Sequence, residues 1–334
     1  MSAASAMRSL AALAALPIEV AAPDITRWKV GSHGLPYVHE RSAAQAEPSG
    51  PDVLITALVH GNEYSGAIAI SELLASNWQP TRGRVTFAFC NVAAFERFDP
   101  AQPDAARFVD EDFNRVWSAA RLESSEQSIE LTRARELLPF VARATHLLDL
   151  HSMHERGAPL LVTGTLQRNI DFAQALQTEA QVIIDSGHAD GVRMRDYGAF
   201  ADADGDRIAL LLEAGQHWQA SSVAVARNTL ARFLIAAGSI TQLDAEATLP
   251  PGWLQPNATP PAPVKVTDRV VARSMDFVFT QPFTGGEVIA KAGTVIAHDA
   301  GQKVATPHDN CVLVMPSVRQ LRPGVTVVRL GQLV

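Results

Sequence analysis

The polar and apolar positions fall into two kinds of run. Residues 53–59 (Val-Leu-Ile-Thr-Ala-Leu-Val) are apolar and rich in β-branched side chains, the composition of a buried strand. Residues 65–74 place Ile68, Ile70, Leu73 and Leu74 at helical spacing, and residues 84–91 return to a strand-like run. The same alternation continues downstream. An amphipathic helix is predicted over 124–142, a strand over 145–151, a short strand over 159–163 and a helix over 171–178. A third apolar strand over 207–213 and a helix over 221–237 follow. Upstream, residues 18–28 and 35–39 read as short strands and 43–52 as a polar loop. Residues 95–117 are irregular and broken by Asp99-Pro100 and Gln102-Pro103. Strand, helix and strand in alternation predict an α/β domain, a mostly parallel mixed sheet with helices on both faces.

The pattern changes after residue 249. Pro250, Pro251, Pro256, Pro260, Pro261 and Pro263 mark an extended linker. Beyond it, short β runs recur at 269–272, 277–279, 287–290, 294–297, 311–315 and 325–328, punctuated by Gly and Pro, with no convincing helix. This predicts a small C-terminal all-β domain, a barrel or sandwich, over 251–334, after a hydrolase-like domain over 1–250. A length of 334 residues agrees with about two domains.

Composition narrows the function classes. The net charge of −7 argues against nucleic acid as the main partner. Cys90 and Cys311 are the sole cysteines, so neither a disulfide framework nor a cysteine metal site can be built from them, and a reducing, cytoplasmic setting is the simpler expectation. Residues 7–16 faintly resemble a signal peptide, but the apolar stretch is short and Pro17 and Glu19 follow at once. No later run reaches the roughly 18–20 apolar residues of a membrane helix, so no membrane partner is expected.

Three strands end in residues capable of chemistry. His60-Gly61-Asn62-Glu63 follows the first, His151 ends the second and Glu213 the third. Each is weak alone: His-x-x-Glu also reads as a capped helix start, and a single His at a strand end is more often structural. In a parallel sheet, however, all three ends lie on one edge, where ligands bind. His60, Glu63 and His151 then form a His2Glu zinc site with an open position, and Glu213 is the unligated carboxylate that carries the proton. Asp149 lies two positions before His151 on the same face of its strand, as an acceptor for that His or as a structural carboxylate. His154 is an alternative ligand should the strand end later, and His217 either lines the pocket or sits on the surface. The charged run from Arg107 to Arg115 adds guanidiniums able to pair with a carboxylate or to stabilise an oxyanion.

His60-Gly61-Asn62-Glu63, Arg107 followed by Asp112-x-Asn114-Arg115, Asp149-Leu150-His151 and Glu213, in that order, resemble the succinylglutamate desuccinylase/aspartoacylase family, relatives of the zinc carboxypeptidases. The resemblance implies one zinc ion per subunit on His60, Glu63 and His151, with Glu213 as general acid/base. It implies Arg107 polarising the scissile carbonyl, Asn114 and Arg115 holding a substrate carboxylate, and Asp112 orienting His60. The implied partner is a small N-acyl amino acid or related amine, and self-association into a homo-oligomer stays open. Two departures bear on specificity and leave a less acidic N-acyl amino acid as open as N-acetylaspartate or succinylglutamate. The stretch 196–206 carries no cation where the family's aspartoacylases have an Arg, and Tyr37, Tyr64 and Tyr197 all lie outside the C-terminal region. A metallocarboxypeptidase or esterase on the same site, or a binding protein with a decayed zinc site, are the rival readings.

Overall fold

Strands that are apolar on both sides need helices on both sides, and the fold supplies them. The computed structural model describes residues 16–44, 50–187 and 190–334. Of the signal-like stretch at 7–16, residues 7–15 lie outside them. The first strands are β1 (Val38–Ser42), β2 (Asp52–Ala57), β3 (Arg84–Phe89), β4 (His146–Met153), β5 (Leu160–Val162), β6 (Gln181–Ile184) and β7 (Ile208–Gln216). Between and after them run α1 (Ser65–Ala75), α2 (Val92–Phe95), α3 (Ala119–Leu122), α4 (Ile129–Arg143), α5 (Gln167–Ala175), α6 (Ala220–Ala236) and α7 (Gln242–Thr248). The strand order is β1-β3-β2-β4-β7-β5-β6. β3, β2, β4 and β7 are mutually parallel, β5 is parallel to β6, and β1 and β5 run antiparallel to their neighbours β3 and β7.

Successive strand residues feed opposite layers, as the pleat requires. Ile55, Leu148 and Leu210 pack with Ile70 and Leu73 of α1 and Leu230 and Phe233 of α6. Leu54, Leu147 and Ala209 face the other way, onto Leu131, Ala134, Leu137 and Val141 of α4. The mixed α/β architecture expected from the sequence is therefore present, with helices covering both faces. Gly66 lets α1 lie close on β4: a Cβ there would come 2.5 Å from Leu150 Cβ.

The C-terminal segment contributes β8 (Val264–Val271), β9 (Val278–Phe279), β10 (Val288–Ile289), β11 (Val295–Asp299), β12 (Gln302–Ala305), β13 (Cys311–Val314) and β14 (Thr326–Leu333). β8 pairs parallel with β6, and the large sheet continues through β14, β13 and β10, while β12, β11 and β9 form a smaller sheet of their own. Met153, Leu160, Val162, Ile183 and Leu211 share an apolar cluster with Val264, Val312 and Val314 across that junction.

Several boundaries differ from the sequence-based expectation. Residues 18–28 hold a 3-10 turn at Thr26–Trp28 and no strand, because the Asp24 carboxylate accepts from Thr26 N (2.9 Å) and Oγ1 (2.6 Å) and folds the chain locally. β2 stops at Ala57, two residues early, where Leu58 takes the left-handed conformation (φ 58°). α4 begins at Ile129 because the Ser128 side chain accepts from Leu131 N and caps it there. β4 runs on to Met153, which pairs with Gln216 of β7. The sequence pattern gives no signal for α2, α3, β6, α7 or β12: each is short, and α7 is marked only by its Thr241/Asp244 capping box. Among the described residues no helix is long and apolar enough to cross a membrane.

Candidate metal centre

The ends of β2, β4 and β7 meet at one edge of the sheet. His151 and Glu213 are register partners in the parallel pair β4–β7. His60 follows Leu58 into a tight turn that only glycine can continue, since a Cβ on Gly61 would lie 2.4 Å from Ala106 O and from Phe95 N. Gly61 N donates to Arg107 O (3.0 Å), which pins the Arg107 segment against the turn.

His60, Glu63 and His151 are all buried, and their ligand atoms lie within 4.8 Å of one another. His60 Nδ1 is 2.7 Å from Glu63 Oε1, and His151 Nδ1 is 3.0 Å from Glu63 Oε2. The outer ring nitrogens meet carboxylates: His60 Nε2 lies 3.0 Å from Asp112 Oδ1 and His151 Nε2 lies 2.8 Å from Asp149 Oδ2. Arg107 Nη2 also lies 2.9 Å from His60 Nε2. A ring that donates through Nε2–H to its carboxylate can turn an Nδ1 lone pair inward, the arrangement that carboxylates impose on metal-binding histidines, and a cation there replaces the Nδ1–H that Glu63 otherwise accepts. The donor set thus fits a divalent metal ion, and Asp149 is an acceptor for His151 that also accepts a hydrogen bond from the Thr56 hydroxyl (2.7 Å).

Two glutamates in this region are driven apart electrostatically. Burial opposes ionisation of Glu63, yet the charges and hydrogen bonds of His60 and His151 outweigh it and hold the carboxyl well below its usual range. Burial, reinforced by the nearby Glu63, pushes Glu213 up to about 8. Glu213 Oε2 is buried without a hydrogen-bond partner. One carboxylate is thereby set to bind a cation and the other to exchange a proton.

The Arg107–Arg115 segment wraps this centre. Arg107 Nη1 donates to Glu63 Oε1 (3.0 Å) and Nη2 to Asp112 Oδ2 (3.3 Å). Asp112 also accepts from Asn114 N (2.9 Å), which fixes the 3-10 turn Phe113–Arg115. Burial works against the Asp112 charge, but His60 and Arg107 hold its carboxyl well below the usual range. Asn114 Nδ2 lies 3.4 Å from His151 Nε2 while its Oδ1 accepts from Met194 N (2.8 Å). Arg115 Nη1 donates to Asn114 O (2.8 Å). The segment hangs on buried Glu130, in the first turn of α4, whose carboxylate accepts from Val109 N (2.6 Å), Asp110 N (3.1 Å), Glu111 N (3.3 Å) and Asn91 Nδ2 (2.9 Å). Nothing in the sequence marks Glu130, since acids are common in first turns.

Of the residues the sequence singles out, His60, Glu63, Arg107, Asp112, Asn114, Arg115, His151, His154 and Glu213 border one cleft of about 540 Å³, while Asp149 and His217 are buried and not part of its lining. Arg193, Arg269 and Arg329 line it too, and so do Met315 and Pro316 of the C-terminal segment. The profile of the succinylglutamate desuccinylase/aspartoacylase catalytic domain matches residues 49–237. The chain belongs to this family. Among relatives, a "Probable aspartoacylase" of Parasynechococcus marenigrum is 32% identical over 134 residues, 38% of this chain and 42% of that protein. A succinylglutamate desuccinylase of Burkholderia lata is 26% identical over 323 residues, covering 91% of this chain and 85% of that one. The succinylglutamate desuccinylase structure from Vibrio parahaemolyticus superposes with a TM-score of 0.61 at 19% identity, over 90% of this chain and 86% of that chain. The match thus spans less than half the length of the first relative and most of the second. Within the family's fold, the buried His60/Glu63/His151 cluster is consistent with a metal-activated hydrolase.

Proposed function

We propose that this chain is a zinc-dependent deacylase that hydrolyses the amide bond of an N-acyl amino acid or related N-acyl amine. The observation that carries the reading is the pairing of a buried His60/Glu63/His151 donor set with Glu213, a carboxylate of raised pKa beside it. Zinc held by the three donors supplies a Lewis acid and lowers the pKa of water toward about 7. Glu213 accepts the proton of the attacking water as the new carbon–oxygen bond forms at the acyl carbonyl. It returns that proton to the departing nitrogen as the carbon–nitrogen bond breaks. Arg107 offers its guanidinium to the oxyanion, and Asp112 and Asp149 keep His60 and His151 in the ligating tautomer. Asn114 and Arg115 hold the substrate carboxylate.

The cleft also suggests what the substrate carries. Arg193 is buried and its Nη2 has no hydrogen-bond partner, although its Nε is paired with Asp196 (2.6 Å). Its Nη1 also lies 3.7 Å from Asp185, so its charge faces two carboxylates already, and Nη2 remains as a donor to a polar group of the substrate. Zinc-loaded protein assayed against N-acetyl, N-succinyl and longer N-acyl amino acids, with short peptides alongside, tests the reading. Turnover of N-acyl amino acids above peptides is expected, and preferential release of C-terminal residues from peptides would overturn it in favour of a carboxypeptidase.

A further inference from the structure

A second set of ligand-type side chains lies beside the first and has no part in the reaction above. Asp104 sits in the 3-10 turn Pro103–Ala106, His154 just beyond the end of β4 and His217 just beyond the end of β7. Their ligand atoms all lie within 4.8 Å of one another. His217 N donates to Met153 O (3.0 Å), so the two strand ends that carry the histidines are tied together.

Hydrogen bonding alone does not satisfy this group. His154 Nδ1 lies 3.1 Å from His217 Nε2 and 3.5 Å from Asp104 Oδ1. Three lone-pair atoms converge, and a single proton serves at most two of them. A proton between the two imidazoles leaves the carboxylate oxygen without a donor, and Asp104 Oδ1 is indeed buried with no hydrogen-bond partner. A cation satisfies all three. The spacing suits one: ligand atoms about 2.0–2.1 Å from a tetrahedral ion stand about 3.3–3.4 Å apart. The observed separations of 3.1 and 3.5 Å bracket that edge.

The surroundings are built for ligation as well. His217 Nδ1 lies 2.8 Å from Ser152 Oγ, so a proton on Nδ1 can be donated to the serine while Nε2 turns its lone pair to the cluster. Burial, aided by the neighbouring His154, holds His217 in the neutral form. His217 is buried, whereas His154 and Asp104 are 16% and 41% exposed in their side chains, which leaves coordination positions open to solvent. His154 lines the cleft.

We propose that Asp104, His154 and His217 form a second site for a divalent transition-metal ion of the zinc class, open toward the cleft. Two imidazoles and a carboxylate select such ions over magnesium or calcium. Ser152 links the two sites, since its N–H donates to Glu63 Oε2 (3.1 Å) while its hydroxyl meets His217. Its partial exposure makes the second site the weaker of the two.

Metal stoichiometry tests this without reference to turnover. Full-length protein is stripped with a chelator, dialysed against zinc and analysed by plasma mass spectrometry, with cobalt titration followed in the visible spectrum. About two ions per chain and two spectral steps are expected for the wild type. Because His217 is buried, the substitutions fall on the partly exposed ligands: His154→Ala and Asp104→Asn are expected to lose one ion and one step. His60→Ala is expected to keep one ion, held by the second site. A wild type that binds one ion, with none left in His60→Ala, overturns the proposal, and so does a His154→Ala protein that still binds two.

Discussion

His151 and Glu213 stand side by side in the parallel register of β4 and β7, on the same edge of the sheet, yet they meet opposite surroundings. The imidazole is clamped between Asp149 and Glu63, whereas one oxygen of the Glu213 carboxylate is buried with no partner. A group left in that condition gains from taking up a proton, which is the behaviour a general acid/base needs. Glu213→Gln is therefore expected to keep zinc at the first site while amide hydrolysis falls by on the order of 10²–10⁴. Zinc content and turnover measured on one preparation check this. Near-wild-type turnover removes Glu213 from the role.

Glu130 organises the Arg107–Arg115 segment from a distance. Its two oxygens receive three backbone N–H groups and the Asn91 amide. In Glu130→Gln an NH2 replaces one oxygen and faces buried donors, at a cost of about 2–4 kcal/mol. The expected signature is a lower urea midpoint together with reduced kcat/KM at unchanged zinc content. Unaltered kcat/KM would mean that the segment keeps its place without this anchor.

Gly66 sets the distance between α1 and β4, and α1 follows directly on Glu63. Alanine there gains up to about 1 kcal/mol of helix propensity but forces its methyl against Leu150, an overpacking cost of about 1–3 kcal/mol. Net destabilisation is expected, visible as a lower urea midpoint at constant m, with weaker zinc retention because Glu63 moves with the helix. A stabilised Gly66→Ala protein would show that β4 yields easily.

His146 gives the protein an acid-sensitive point away from the cleft. Its ring packs between Phe172 and Phe233, with centroids 5.6 and 6.4 Å away, and burial pushes its pKa down from 6.5 to about 4, against the pull of Asp206. A folded pKa below the unfolded one means that the unfolded chain binds the proton first as pH falls. The stability contribution is complete above pH 6.5 and is lost progressively toward pH 4, to on the order of 3 kcal/mol. The unfolding free energy of His146→Gln, followed from pH 7.5 to 4, should therefore fall less steeply than that of the wild type. Parallel curves would contradict this.

How much of this was legible beforehand depended on the range of the interaction. Runs such as Val53–Ala57 and Leu147–Leu150 announced buried strands because both of their faces are apolar. His60, Glu63, His151 and Glu213 were legible because a parallel sheet brings the C-terminal ends of its strands to one edge whatever the loops do. Strand ends were less legible: β2 stops early at Leu58 and β4 runs late to Met153, the first through a left-handed residue, the second through pairing with β7.

The sequence by itself determined the layered α/β class, the order of the chemical residues and the type of ion they suit, since those follow from periodicity and from donor chemistry. Tertiary structure alone decided which groups finally touch. It settled that Asp149 holds His151, that Glu130 anchors a loop some 20 residues earlier in the chain, and that Asp104 meets His154 and His217. Each of these contacts joins loop and strand-end positions whose meeting depends on three-dimensional packing. A linear pattern of apolar residues fixes which faces are buried, but not which polar side chains converge where the strands end.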